Sequence, residues 1–342
     1  MRRLLALIGG IILVGLLLLA AAWWRGLVTL PIGPNRRELA AQLRDRGTVA
    51  VAGPIPLGLR RDEATLRDYS SFPRLAAALN GTDPNAVARA VSEEHLDGLL
   101  VRTDRTLGTP GSMVRRMSEM MPVNGMGATF VDEAAALYES ADSLSIEPAD
   151  AQRLVAVVRL ILQGAVPPPE RLFAESVRRS RPTEVTVILR DGHEAIIWRA
   201  VRGGSIARAL VDATYAVLDR WNTRQQQRFG PIREAILSHP ITIAIFHDRG
   251  TLGSRTDEFI RRAANPHVFA IGYEHIGRWE YVLPPMPWGP AQDPVQAIAA
   301  LVREHDVPPP GYRRPELTLY RFRAYQIVER DPQGDVEIFD PR

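Results

Sequence analysis

The sequence contains no cysteine and no lysine. Without cysteine there is no disulfide, no zinc–thiolate site, no thiol nucleophile and no lipoprotein attachment point. That absence fits an oxidising compartment. Without lysine, all 42 basic residues are arginine. Beside abundant Ala, Gly and Pro, this is the usage of a GC-rich genome, and a bacterial source is expected rather than a selected arginine surface. Charge of one sign is also scarce, since 42 basic side chains stand against 39 acidic ones and leave a net +3. No dense basic stripe accompanies the pI, so nucleic acid is not expected as a partner. Hydrophobic residues, at 46% of 342, suffice for a sizeable core and, by length, two domains.

A long apolar run is present at the start. Leu4 to Trp24 carries no charge. At about 1.5 Å per residue its length matches the roughly 30 Å hydrocarbon core of a bilayer. Arg2 and Arg3 precede it, and Trp23, Trp24 and Arg25 follow. Ala20 and Ala22 form an A-x-A pattern, but the run exceeds the usual h-region of a cleaved signal. The expectation is therefore an uncleaved transmembrane anchor over 1–25 and a stalk over 26–37. The membrane is a partner through that helix, and the chain is placed in the inner (plasma) membrane, single-pass, with its bulk extracytoplasmic (periplasmic). The flanking arginines nearly balance, so orientation rests on the short N-terminal tail.

Beyond the stalk, "TVAVAG" and "DGLLVRT" read as buried strands, "MGATFV" as strand-like, and "FPRLAAALN", "DPNAVARAVSEEHL" and "PADAQRLVAVVRLILQG" as helices. Asp83 with Pro84 forms an N-terminal helix signal, and Gly164 a stop. This alternation predicts a small α/β domain over 38–164 with parallel strand neighbours. "VPPPERLF" cannot continue a helix and opens a Pro-rich linker over 165–182. The second domain, 183–330, runs hairpin, helix, short helix, strand, hairpin, helix, strand. Asp191-Gly192 marks the first hairpin turn, and Asp293 with Pro294 starts the last helix. Residues 331–342 read as a C-terminal tail. The fold class expected is an α/β N-terminal domain plus an α+β C-terminal domain with a mostly antiparallel sheet, behind a single N-terminal transmembrane helix.

The order and pattern of 183–330 resemble a known family. The segments are "VTVILRDGHEAIIWRAV" before "IARALVDATYAVLDRW", "FGPIREAILSHPITIAIF", "HVFAIGYEHIGRWEYVLPP" and "AIAALVREHDVPPPGY" before "LTLYRFRAYQI". Together they resemble the AMMECR-type domain, an α+β fold. The hallmark Arg-Gly-Cys-Ile-Gly run of that family is replaced here by "WRAVRGG". No role of that motif therefore passes to Arg199 or Arg202, and the resemblance implies a fold more than a reaction.

Candidate chemistry gathers at two junctions. In "WRAVRGGSIARAL", Gly203 and Gly204 allow a turn at positive φ, and Ser205 can cap the following helix. Arg202, Gly203, Gly204, Ser205 and Arg208 together would hold an anion at the free N–H groups of that helix start. The stretch is neither a Walker motif nor a dinucleotide fingerprint, and a plain capped turn is the favoured reading over a ligand site. In "IFHDRG", His247 and Asp248 follow a buried strand, where a His with an orienting carboxylate can act as a general base. Adjacent strand residues point to opposite faces, so the two need not meet. With Ser205 they form a catalytic set on paper, without a nucleophile-elbow pattern to support it. His267, His275 and Glu274 match no zinc spacing, and no metal or cofactor is expected. Five of the seven methionines crowd "GSMVRRMSEMMPVNGMG", either as core filling or as an adaptable surface.

Two functions follow. The first is a binding or assembly module of the bacterial cell envelope with an envelope protein as partner, favoured because no acid/base or metal motif converges. The alternative is an envelope hydrolase or transferase acting on an anionic substrate through the two junctions.

Overall fold

The computed structural model describes residues 36–44, 46–54, 65–141, 144–180, 184–221, 223–284, 287, 289, 292–304, 311–313 and 316–340. They fall into two compact units, Met1–Met121 with Phe130–Glu139, and Pro122–Thr129 with Ser140–Arg342. The described residues form twelve strands in mixed parallel and antiparallel pairing.

In the first unit, α1 (Arg36–Leu43) leads to β1 (Thr48–Ala52), β2 (Thr65–Asp68), α2 (Pro73–Asn80), α3 (Ala86–Glu93), β3 (Gly98–Arg102) and α4 (Met113–Ser118). β4 (Met126–Val131), which crosses the division, and β5 (Ala135–Ser140) follow. β1 pairs in parallel with β2 and β3, and β5 runs antiparallel to β3. Val49 to Ala52 are all buried, as a central parallel strand covered on both faces requires. Leu39 and Leu43 of α1 pack on Val49, Val51, Leu100, Phe130, Ala135 and Leu137. α3 starts at Ala86 rather than Pro84. Asp83 Oδ1 accepts the Asn85 N–H at 2.9 Å, and this local turn takes up the first residues of the expected helix. Met113, Met117, Met120 and Met126 are buried, so most of the methionine-rich segment fills core.

The second unit continues with α5 (Pro148–Leu162), α6 (Glu175–Arg179), β6 (Glu184–Asp191), β7 (Glu194–Val201), α7 (Ile206–Arg220), α8 (Thr223–Phe229) and α9 (Ile232–Ser238). Then come β8 (Ile241–Leu252), α10 (Asp257–Ala263), β9 (Phe269–His275), β10 (Arg278–Tyr281), α11 (Pro294–Glu304), β11 (Thr318–Glu329) and β12 (Val336–Phe339). The order β7-β6-β8-β11 is antiparallel throughout. β11 continues to β9 along its first half and to β12 along its last residues, and β10 pairs with β9. Period-2 alternation sorts the side chains to two faces. Val185, Val187, Leu189, Ile241, Ile243, Ile245, Tyr325 and Ile327 pack with apolar residues of α5, α7 and α9. Ile188, Ala244, Phe246, Ala270, Tyr281, Phe322 and Ala324 make the second face.

The transmembrane reading is corrected. No helix among the described residues is long and apolar enough to cross a membrane. The longest described helices have 15 residues, about 22 Å at 1.5 Å per residue against a core of about 30 Å. The apolar run 4–24 and the stalk to residue 35 lie outside the described residues. The fold class with a single-pass helix, the membrane as partner through that helix, and an inner-membrane, extracytoplasmic placement are therefore not supported.

One buried ion pair ties the second unit together. Arg159, on the buried face of α5, donates through Nε to Glu329 Oε1 at 2.9 Å and through Nη2 to the other carboxylate oxygen. Its Nη1 donates to the Ile236 carbonyl at the end of α9. Glu329, 2% exposed, also accepts the Ile241 N–H at 2.8 Å. Removing either partner leaves a buried charge alone. Glu329→Ala or Arg159→Ala is expected to lower stability by about 3–5 kcal/mol in urea unfolding, and the double change Arg159→Met with Glu329→Leu by less than either single one.

Candidate functional site

The helix start at Ser205 forms locally. Ser205 is extended, and its Oγ accepts the Arg208 N–H at 3.2 Å, capping α7. Neither Gly203 nor Gly204 sits at positive φ. Gly203 is required by close approach, since a Cβ there would lie 2.8 Å from the backbone nitrogen of Ala209. The Ser205 hydroxyl donates to Glu170 Oε1 at 2.7 Å, so a carboxylate of the chain itself stands at this cap. Arg208 turns along its helix to Asp212 at 3.0 Å, and Arg202 is exposed, with its charge acting on Glu184. The five residues of the expected anion set thus share a loop, but the two arginines engage different carboxylates.

His247 and Asp248 do meet. Arg321 pairs with Gly250 and Arg323 with His247, so β8 holds two residues, Asp248 and Arg249, opposite Phe322 alone. This bulge sets Asp248 at φ 51°, which breaks the alternation and brings its carboxylate to the side of His247. His247 Nδ1 lies 3.0 Å from Asp248 Oδ2, off the hydrogen-bond direction, as a close electrostatic contact. Arg323 Nη1 donates to the same oxygen at 3.3 Å, and its Nη2 lies 3.7 Å from Asp340. Gly127 lets β4 pass close by, since a Cβ there would sit 3.3 Å from Asp248 Oδ1. Burial would raise the Asp248 carboxyl, but His247 and Arg323 outweigh it and hold it below its ordinary value. His247 Nε2 is buried without a hydrogen-bond partner among the described residues. No hydrogen bond or ion pair links Ser205 to this pair among the described residues.

The second sheet face carries groups that belong to no sequence motif. Trp198, Trp279 and Tyr320 are half-buried around Phe246, Tyr281 and Phe322. The exposed Arg249 stacks over Trp279 at 4.6 Å and over Tyr320 at 5.1 Å. Glu184 stands at the start of β6 on this face, hydrogen-bonded to Tyr281, whose hydroxyl is 3.1 Å from Thr186 Oγ1. Burial pushes the Glu184 carboxyl up to about 7, and Tyr281 and Arg202 offset only part of that. The alternation Glu184, Thr186, Ile188 was visible in the sequence. The partners on β8 and β10 that make it a cluster were not. His267, His275 and Glu274 form no metal site, as no group of three or more such ligands converges among the described residues. Glu274 accepts a bond from the Tyr320 hydroxyl at 3.2 Å.

No family model and no curated protein matches the chain. It is similar to the crystal structure of an uncharacterized protein from Pyrococcus horikoshii, at 16% identity and a TM-score of 0.45, over 57% of this chain and 98% of that one. So distant a likeness carries no argument about activity.

Two outcomes follow. Ser205→Ala removes a cap and is expected to cost about 1 kcal/mol in urea unfolding. For Glu184, the folded state holds a proton that the unfolded chain releases between pH 4.5 and about 7, so its contribution to stability is full below pH 4.5 and is lost as pH rises through 7. Glu184→Gln should flatten that slope and exceed the wild type at pH 8 by about 1–2 kcal/mol, allowing for partial solvent screening.

Proposed function

We propose that the chain is a binding or assembly module, with a remote AMMECR-type domain as its second half, and that the aromatic face of that domain receives a protein partner. The observation that carries this reading is the half-buried set Trp198, Trp279 and Tyr320 with Arg249 stacked over the last two rings. Trp, Tyr and Arg are the residue types that dominate interface energies when desolvated, because each covers large area at little entropic cost. The AMMECR-type assignment is supported by the order hairpin (β6–β7), helix (α7), two short helices (α8, α9), strand (β8), short helix (α10), hairpin (β9–β10), helix (α11) and strand (β11).

A hydrolase or transferase acting on an anionic substrate is the second reading. It is favoured by the 3.0 Å contact of His247 with Asp248 and by the adjoining Arg323. His247 Nε2 has no other partner, but it is buried, and no nucleophile is bonded to it among the described residues.

One comparison separates the readings. Quantitative affinity capture with the full chain is expected to lose its partner at least tenfold in Trp279→Ala and to keep it in His247→Ala. Equal capture by Trp279→Ala and the wild type would remove the binding face.

A further inference from the structure

The next-to-last residue of β6 is a cation without a counter-charge among the described residues. Arg190 is 3% exposed. Its Nε donates to Thr242 Oγ1 at 3.1 Å and its Nη1 to the His193 carbonyl at 3.2 Å. Nη2 is buried and has no hydrogen-bond partner, and no carboxylate pairs with the guanidinium among the described residues. The other buried arginines of the second unit are treated differently. Arg159 has Glu329, Arg323 has Asp248 and Asp340, and Arg321 stacks on Phe269 at 4.2 Å while donating to the Ala263 carbonyl. A buried cation without a counter-charge costs more than two neutral acceptors return. Burial alone brings Arg190 down to about 10, with no opposing charge acting on it.

We propose that Arg190 is the receiving group of an anion site at the β6–β7 turn, taking a carboxylate or phosphate oxygen of a ligand on the fork of Nη1 and Nη2. The guanidinium has five N–H donors, of which Thr242 and His193 take two, so an end-on fork is free for a planar or tetrahedral oxyanion. The turn Asp191–His193 that covers the guanidinium is exposed to solvent and supplies the His193 carbonyl to Nη1. The site needs none of the aromatic residues, so Trp279→Ala leaves it intact and its failure is distinct from failure of the binding face.

The test is thermal unfolding of the full chain, titrated with inorganic phosphate or with acetate, against chloride at equal ionic strength. A saturable rise in Tm is expected, about 3 °C or more at tenfold excess over Kd, absent in Arg190→Met. Arg190→Lys, which keeps the charge and loses the fork, should raise the apparent Kd at least fivefold and serves if the methionine variant does not fold. A response to phosphate alone identifies a phosphoryl ligand, and one to acetate a carboxylate. No rise above chloride, or the same rise in the wild type and both variants (an adventitious ion only), would overturn the site.

Discussion

A single buried carboxylate fixes the second unit. Glu329 ends β11, accepts the first N–H of β8, and holds Arg159 of α5, whose guanidinium in turn takes carbonyls at the end of α9. Hydrophobic burial is proportional to area and has little direction. By itself it would let helices slide over a Val- and Ile-rich sheet. The ion pair has direction, and breaking it strands a charge in the core, so it fixes where α5 and α9 sit on the strands. Its guanidinium also donates to carbonyls of the kind that every helix end leaves without a partner.

With that register set, strand alternation distributes the chemistry. One face is sealed by helices. The other carries Glu184, Thr186, Ile188 and Arg190 in a line along β6, with aromatic rings from β7, β8, β10 and β11 beside it. An acid that burial favours as neutral stands at one end, and a cation without a counter-charge at the other. Such groups are costly in a purely structural sheet, which is why this face supports a binding role better than the capped helix start, where Ser205 is already bonded to Glu170. The bulge at Asp248 breaks the alternation of β8 and brings the charges of Asp248 and Arg323 together beside His247.

Local signals were readable in advance. The Asp191-Gly192 turn, the Ser205 cap, α7, and the apolar runs of β1, β3, β8 and β11 all follow from residues within a few positions of one another. Other features were not readable. β5 is an alanine-rich strand that forms because the Asp132 N–H donates to the Ala135 carbonyl at 2.8 Å and turns the chain back onto β3. β12 pairs with β11 inside the stretch read as a tail. Strand alternation gave adjacent His247 and Asp248 no reason to meet, and a positive φ at Asp248 brings them together. The apolar run 4–24 suggested a membrane anchor, yet no described helix can cross a bilayer.

The sequence by itself determined which segments bury, where helices begin, and which chemistries its missing cysteines exclude, because those depend on side-chain type and near neighbours. Only the tertiary structure decided which charges meet. Arg159 finds Glu329 170 residues away, Glu170 finds Ser205, and Arg190 finds no acid. Long-range pairing of this kind is set by strand register and helix placement, which many sequences with the same apolar pattern would satisfy differently.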